Sequence, residues 1–423
     1  MQIFRKWFVL LMISVVLVSA VSIGEAKKET VKLKFVCWNY NLGYDRGIIE
    51  AFMKANPEIQ VQVYNIPVNE YENKLAVMMA GGEDIDLFYA KNATQFGSII
   101  LKNQAKELND LIKRDKFNLK PYGDGLNQVK VDEHIYGLPY RNDYVILYYN
   151  KDIFDKAKMP YPNNKWTWDD FRSTAKKLTA GEGNKKIWGA FFDSKLNTYW
   201  TPGIATGKGD LITGPYSMLK DGVELLKNMQ LVDKSAIDYA TNRSMGTGSS
   251  AGYFEKGDSA MTFTGTFFMN TLLADKKDGK HNVRWGIAPL PVWKKGDLHG
   301  SRSTITPVVI NSKTTKIAAA WKLAKFIAGR EGAKIMAQNL MMPGYQENTV
   351  MSFFKQNPEF PKEGKEALKV DKLYVDLPAN KLAGLIGKMV QEELELAITG
   401  NKTVDAAISE MEKRRKEIVE MNK

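Results

Sequence analysis

Residues 137–154 of the chain read GLPYRNDYVILYYNKDIF. Gly137 and Pro139 interrupt regular structure, and a polar Arg-Asn-Asp triplet follows them. Val145–Tyr149 are five consecutive apolar or aromatic residues, which is typical of a strand buried on both faces. The stretch therefore predicts a hinge at Tyr140–Asp143 that leads into a buried strand, as expected where a chain leaves one lobe for another.

Upstream of this stretch, three strand-like segments alternate with two helix-like segments. Lys32–Trp38, Ile59–Val63 and Ile85–Tyr89 predict strands, and apolar residues recur at helical spacing within 48–53 and 71–79. This alternation indicates a parallel sheet covered by helices. Ligands of such sheets bind beyond the carboxyl ends of the strands, so the polar residues there are candidate contacts, with ordinary loop residues as the alternative. These candidates are Asn39, Tyr40, Lys91 and Asn92.

Downstream, two further patterns stand out. Thr167 and Asp170 have the spacing of a capping box, which predicts the start of a helix. Trp188–Phe192 predicts another strand, and Asn197 and Trp200 beyond it combine amide and aromatic groups suited to sugars.

The length and composition of the chain predict a globular protein of two or three domains. It has 423 residues, of which 44% are hydrophobic and 11% aromatic. Arg5 and Lys6 precede an apolar run over Trp7–Ile23, which predicts a signal peptide over residues 1–26 and a mature protein in the periplasm or at the cell surface. Cleavage after Ala20 and a retained anchor are the alternatives, although a spanning helix needs ~20 apolar residues.

The cysteine content and the charge distribution argue against a disulfide-bonded protein and against a nucleic-acid-binding one. Cys37 is the only cysteine, so it cannot form an internal disulfide and is expected to be a buried thiol. The formal net charge is +12, but the basic residues are spread singly along the chain. The densest group, residues 413–416, lies among glutamates as on a solvated helix face, so no nucleic-acid partner is expected.

The order of these motifs resembles the extracellular solute-binding proteins of bacterial sugar-import ABC transporters, the group that includes the maltose-binding protein. The resemblance covers nearly the whole chain after the signal peptide. It is carried by Phe52–Pro57, Gly81–Asp86, Tyr136–Pro139, Leu147–Phe154, Thr167–Phe171, Phe254–Gly265, Ala288–Pro291 and Ala397–Ala407. It implies an α/β, two-lobed periplasmic-binding-protein type II fold. Each lobe would be a mixed, mainly parallel sheet flanked by helices, with three crossovers and a central cleft.

The resemblance also implies where the lobes divide. The first lobe would comprise residues 27–142 and 288–342. The second would comprise 143–287 and 343–423. Independently of the resemblance, the sequence after the break at Met341–Tyr345 predicts a chain that is helical to its end. The three crossovers would lie near residues 142, 287 and 342.

Family positions give two residues specific roles. Asp143 stands where members place an acidic residue that binds sugar hydroxyls, and Phe267 stands where many carry a stacking tryptophan. Gly384 and Gly387 replace an aromatic residue of the maltose-binding protein, which argues against malto-oligosaccharides.

A sugar presents hydroxyls around an apolar ring face, so its site needs aromatic planes beside amide, carboxylate or guanidinium groups. The candidate planes are Trp38, Tyr40, Tyr140, Trp200, Phe267 and Tyr345. The candidate polar partners are Asn39, Lys91, Asn92, Arg141, Asp143, Asn197 and Arg302. Lys91, Arg141 and Arg302 leave open an acidic sugar, bound through its carboxylate.

The expected function is therefore binding of a carbohydrate and its delivery to ABC permease subunits in the membrane by hinge closure. A monomer without catalytic residues, metal or other cofactor is expected. The alternative is a secreted glycoside hydrolase or lyase, since paired carboxylates suffice for glycoside hydrolysis. Against it, the three histidines lack metal-binding spacing, and neither a Gly-x-Ser-x-Gly elbow nor a phosphate-binding loop occurs.

Overall fold

The structure, a computed structural model, describes residues 30–38, 40–244, 250–378 and 380–422. The predicted signal peptide and the candidate contact Asn39 lie outside these residues. Within the described part of the chain, no helix has the length and apolar character needed to cross a membrane.

Strands and helices alternate along the first third of the chain, as predicted, and helices dominate its last third. The strands are β1 (Val31–Cys37), β2 (Ile59–Asn65), β3 (Leu87–Tyr89), β4 (Lys130–Val131), β5 (His134–Ile135), β6 (Leu138–Asn150), β7 (Met261–Gly265), β8 (Trp285–Ala288), β9 (Gly300–Ile310) and β10 (Lys372–Val375). The helices are α1 (Tyr44–Ala55), α2 (Tyr71–Ala80), α3 (Ala93–Leu101), α4 (Asn109–Asp115), α5 (Lys151–Lys156), α6 (Trp168–Leu178), α7 (Asn197–Ile204), α8 (Lys220–Leu231), α9 (Tyr239–Ser244), α10 (Ser250–Glu255), α11 (Phe268–Lys277), α12 (Ile317–Ala328), α13 (Arg330–Gln338), α14 (Asn348–Met351), α15 (Gly364–Ala367), α16 (Ala383–Ile398) and α17 (Val404–Met421).

Eight of these strands join into a mixed sheet in the order β2–β1–β3–β9–β6–β7, with β10 paired to β9 and β8 paired to β6, whereas β4 and β5 form a separate two-stranded sheet. Pairing is parallel between β1 and its neighbours β2 and β3, and between β9 and β10. Strands β7, β8 and β9 all run antiparallel to β6. The α/β class with a mixed sheet is thus confirmed. Contrary to what the resemblance implied, the sheet is not mainly parallel, because β3 also pairs antiparallel with β9 and parallel pairing is limited to β1–β2, β1–β3 and β9–β10 among the described strands.

The predicted hinge stretch is an unbroken strand. All 13 residues of β6 are buried. Its first half pairs with β9, with a register shift between Pro139 and Arg141, and its second half pairs with β7 and β8. Residues 140–143 therefore lie inside the sheet. Buried backbone N–H and C=O groups need hydrogen-bond partners, and pairing with β9 supplies them on both sides of the register shift.

Buried apolar side chains form three cores around this sheet. The first core draws on residues 33–140 and 305–341. The second and third cores cover opposite faces of the second half of β6, because successive side chains of a strand point to opposite sides. Val145, Leu147 and Tyr149 enter the second core, whereas Tyr144, Ile146 and Tyr148 enter the third.

The chain returns from the second core to the first along β9. Leu290, before this strand, is in the second core, whereas Ile305 within it is in the first. The boundaries of the two lobes in sequence stay a prediction.

Local patterns that need no distant partner were predicted well. Helix α1 buries Ile48, Ile49 and Phe52 on one face. Helix α6 begins with the predicted capping box, in which Thr167 accepts a hydrogen bond from the Asp170 amide and Asp170 accepts one from the Thr167 amide. Cys37 is a buried free thiol, as expected, and burial raises its pKa.

Two secondary-structure predictions were wrong. Residues 188–192 make only isolated bridges: Trp188 and Phe191 pair with Ser259 and Thr262, whereas Ala190 between them pairs with Ala236. The tail after residue 345 is not helical throughout, because β10 adds to the edge of β9.

Candidate functional site

A small pocket lies where β6, β7 and β9 approach the start of α7. Its volume is about 60 Å³, whereas whole ligand pockets usually measure ~300–1,000 Å³. It is lined by Val145, Asp193, Lys195, Asn197, Thr198, Thr201, Phe263, Thr264, Gly265, Phe267 and Arg302. We call it the Phe267 pocket; its size fits part of a ligand site rather than a complete one.

Phe267 lies between the cores. It precedes α11, is partly buried, and packs against both the first and the third core. Its ring covers Gly265, where an added Cβ would come within 2.5 Å of Phe267 Cε1. The missing side chain at Gly265 thus leaves room for an aromatic plane, the group that stacks on the apolar face of a sugar.

Arg302 enters the same pocket from β9 and is held on several sides. Its Nε donates to Thr201 Oγ1 at 2.9 Å, and its Nη1 donates to Thr304 Oγ1 at 3.2 Å and to Asp376 Oδ2 at 3.1 Å. Trp200 Nε1 donates to the same Asp376 oxygen at 2.9 Å. Asp376 therefore orders two of the predicted ligand contacts, Arg302 and Trp200.

Arg141 and Asp143 form a buried ion pair in the middle of β6. Arg141 donates from Nε and Nη2 to Asp143 Oδ2, and from Nη1 to the Tyr44 hydroxyl at 3.4 Å. Thr266, beside Phe267, donates to Asp143 Oδ1 at 3.0 Å. Burial alone would lower the pKa of Arg141, but the Asp143 carboxylate raises it above its ordinary value, so the guanidinium stays charged.

Two of the predicted stacking planes lie inside the first core. The Tyr140 ring stacks on Tyr89 with centroids 4.2 Å apart and planes 7° apart. Its hydroxyl donates to Asp45, which also accepts from Tyr89. Trp38 is 5% exposed and contacts the edges of Tyr71 and Tyr89. Sequence alternation cannot tell which side of a strand end faces the core, so nothing local distinguished these rings from ligand platforms.

Asp45 is a buried carboxyl with one unpartnered oxygen. Its Oδ2 is buried and has no hydrogen-bond partner, while Oδ1 accepts from two tyrosines. Burial raises the pKa of Asp45 to about 6, opposed by the hydrogen bonds from Tyr140 and Tyr89 and by the charge of Arg141.

The polar candidates after β3 are bound within the first lobe's own elements. Asn92 caps α3 by accepting from the Gln95 amide at 2.8 Å. Lys91 Nζ donates to the Val68 carbonyl at 3.0 Å and lies 3.3 Å from Glu72 Oε1. These bonds account for both side chains without a ligand.

Tyr40 and Tyr345 are partly buried. The Tyr40 ring centroid lies 5.7 Å from the Arg46 guanidinium, and burial raises the pKa of the Tyr40 hydroxyl. The Tyr345 hydroxyl donates to Glu347 at 2.6 Å, and burial with this bond raises its pKa to about 12. Tyr345 packs, like Phe267, against both the first and the third core.

The Phe267 pocket thus brings together three predicted contacts, Asn197, Phe267 and Arg302. Trp200 is linked to Arg302 because both donate a hydrogen bond to Asp376. The other predicted contacts lie outside it, and their role in binding stays a prediction. Sequence reasoning missed Asp193, Lys195, Thr201 and Asp376. Asp193 and Lys195 directly follow a strand-like segment, which was a usable signal. Asp376 gave none, because a helix was expected over its segment.

The described residues hold no cluster of three or more His, Cys, Asp or Glu side chains that could bind a metal ion.

Comparison with known proteins connects this site to a family. The family profile described as "Bacterial extracellular solute-binding protein" matches residues 42–334. The melibiose/raffinose/stachyose-binding protein of Bacillus subtilis is 25% identical over 368 residues, covering 82% of each chain. The sn-glycerol-3-phosphate-binding periplasmic protein of Salmonella typhimurium is 23% identical over 392 residues, covering 86% of each.

A solved structure gives the same result for the fold. The crystal structure of a sugar transporter from Rhizobium etli, in an open conformation, superposes with a TM-score of 0.78 at 31% identity, covering 92% of this chain and 99% of that one. This likeness confirms the predicted two-lobed architecture. The chain belongs to the bacterial extracellular solute-binding proteins.

Proposed function

We propose that the protein is the extracytoplasmic binding component of an ABC import system. It binds a sugar or oligosaccharide between two lobes and delivers it to the membrane permease by hinge closure. The signal peptide over residues 1–26 exports it, and it works as a monomer without enzymatic activity.

The placement of Phe267 carries this proposal. Its ring lies in a pocket with Asn197 and Arg302 and packs against cores on both sides of the junction. An aromatic plane beside amide and guanidinium donors is the combination that a sugar ring requires. A ligand at this point contacts elements of both lobes, so its binding favours their approach.

Similar proteins support the ligand class and the partner. The Bacillus subtilis relative carries melibiose, raffinose and stachyose in its name, and the Rhizobium etli protein is titled a sugar transporter. Membership of the solute-binding family supports the permease as partner.

A thermal-shift screen tests the ligand class. Melibiose, raffinose, stachyose and maltose are compared with sn-glycerol 3-phosphate and with amino acids. A ligand at 100 times its Kd stabilises the folded state by about 2.7 kcal/mol, which raises the melting temperature measurably. We expect a saccharide to do so. Stabilisation by a non-carbohydrate alone would contradict the proposal.

The enzyme alternative has its own test. The protein is incubated with each oligosaccharide that binds, and the mixture is separated by chromatography. We expect the oligosaccharide to be recovered intact. Shorter products in molar excess over the protein would establish a glycoside hydrolase or lyase instead.

A further inference from the structure

Two arginines near the junction of the cores are each neutralised by a carboxylate. Arg141 pairs with Asp143, and their side chains are 7% and 10% exposed. Arg302 pairs with Asp376 at 3.1 Å, and both side chains are 12% exposed. The guanidiniums therefore do not present an uncompensated positive charge to a ligand.

Two lysines are also paired with a carboxylate, in pairs that are more exposed than those of the arginines. Lys91 lies 3.3 Å from Glu72, and Lys195 in the Phe267 pocket lies 3.8 Å from Asp193. Asp45 adds a further buried carboxyl, whose pKa is raised by burial and lowered, to a smaller extent, by the charge of Arg141. Among these residues, acidic side chains are therefore at least as numerous as basic ones.

Such pairs suit hydroxyl groups better than anions. A hydroxyl can accept from a guanidinium and donate to the neighbouring carboxylate at the same time, whereas a carboxylate or phosphate can only accept. An anion placed against Arg302 would also lie close to Asp376, and like charges that approach each other without water cost several kcal/mol.

Hydrogen bonds hold Asp376 in place beside Arg302, where its charge would repel an anion. Its Oδ1 accepts from the Leu377 amide at 2.9 Å, and its carbonyl accepts from the Leu211 amide at 2.8 Å. Its Oδ2 holds Arg302 and Trp200 together. Asp376 itself is not among the residues that line the Phe267 pocket, so it acts through Arg302 as a positioning residue.

We propose that the site selects uncharged saccharides, and that Asp376 and Asp143 set this selectivity by neutralising Arg302 and Arg141. This inference rests on the proposed function and names its ligand class.

The net charge of +12 does not oppose it. Charges spread over the surface attract anions from every direction, but salt screens them beyond ~8 Å at physiological ionic strength. Selectivity inside a cleft is set by the groups within hydrogen-bonding distance.

Matched pairs of saccharides test the inference in the wild-type protein. Galactose is compared with galacturonate, glucose with glucose 6-phosphate, and raffinose with an oligogalacturonate, by thermal shift and then by calorimetric titration. We expect the uncharged member to bind at least about tenfold more tightly. Tighter binding of an anionic member overturns the inference and leaves the proposed function standing. If only non-carbohydrates bind, the proposed function fails as well.

Asp376→Asn tests the mechanism, because asparagine removes the charge and keeps one acceptor oxygen, which can serve either Trp200 and Arg302 or the Leu377 amide. The ratio of uncharged to anionic affinity should fall by about tenfold and become sensitive to salt. Asp371→Asn is the matched control, since Asp371 is exposed and bonds to the His299 amide outside the pocket. An unchanged ratio in Asp376→Asn would overturn the role of Asp376. Asp143→Asn repeats the test if Asp376→Asn does not fold.

Inorganic phosphate provides a readout that does not depend on finding the right sugar. We expect phosphate to raise the melting temperature of Asp376→Asn more than that of wild type or Asp371→Asn. Phosphate stabilisation of wild type that Arg302→Gln abolishes would show an accessible positive charge and contradict the inference.

Discussion

Phe267 and Gly265 show how the site depends on two residues that act together. The aromatic ring occupies the space that a side chain at 265 would fill. The position of Phe267 as a candidate plane was predicted from the family pattern, but its dependence on Gly265 was not, because nothing in the sequence says which glycine lies under which ring.

Phe267→Ala should weaken saccharide binding by roughly 1 to 3 kcal/mol, because the ring's stacking area is lost. Calorimetric titration with the best ligand measures this change. Phe353→Ala is the control, since Phe353 is also partly buried against the third core but lies outside the Phe267 pocket. Equal affinities of wild type and Phe267→Ala would remove the ring from the site.

Gly265→Ala should weaken binding while keeping the aromatic residue itself. The added methyl would come within 2.5 Å of the Phe267 ring, so the ring must move from its position. The same titration measures the loss. Unaltered affinity in this variant would mean that the ring's observed position is not the one used in binding.

Asp45→Asn should change the pH dependence of folding. Because burial raises the pKa of Asp45 to about 6, the native state favours its neutral form. The stability of wild type therefore decreases, through this group, as pH rises from about 4 to above 6. Relative to wild type, the variant's free energy of unfolding should increase over that range, by up to about 3 kcal/mol.

Urea unfolding of both proteins at pH 4, 5, 6 and 7 measures this difference. Asp110→Asn, at an exposed position on α4, is the control for removing a carboxylate from the surface. A difference between wild type and Asp45→Asn that stays constant with pH would contradict the assignment.

At the scale of elements, the success of prediction followed how local the signal was. Helix α1 and the capping box of α6 were predicted because helical periodicity and cap spacing are contained in a few residues. Strand β10 was missed because it is short and its partner, β9, lies about 70 residues earlier in the chain. Together with β10, the sequence analysis missed Asp376, which directly follows the strand and holds Arg302 of the pocket.

Thr167→Ala should reduce stability by ~0.5–2 kcal/mol, because the amide of Asp170 loses its cap acceptor. Urea unfolding measures the change. Ser173→Ala, on the exposed face of the same helix, is the matched control and should change stability by less than about 0.5 kcal/mol. A Thr167→Ala effect no larger than that of Ser173→Ala would show that the cap contributes little.

At the scale of the whole molecule, strands β6 and β9 both pass from the first core to the others. The order of motifs predicted a two-lobed fold with a hinge at Tyr140–Asp143 that leads into a strand. The structure shows paired strands with a register shift between Pro139 and Arg141 instead. Long-range pairing of this kind cannot be read from polar residues in one stretch. If the proposed closure occurs, we expect these strands to bend at the register shift between Pro139 and Arg141.

Small-angle X-ray scattering during titration with the best saccharide tests the central claim that ligand binding brings the lobes together. The radius of gyration should decrease as ligand is added and reach a plateau at saturation. Phe267→Ala should need a higher ligand concentration to reach the same plateau. A radius of gyration that stays constant while calorimetry shows saturation would contradict hinge closure.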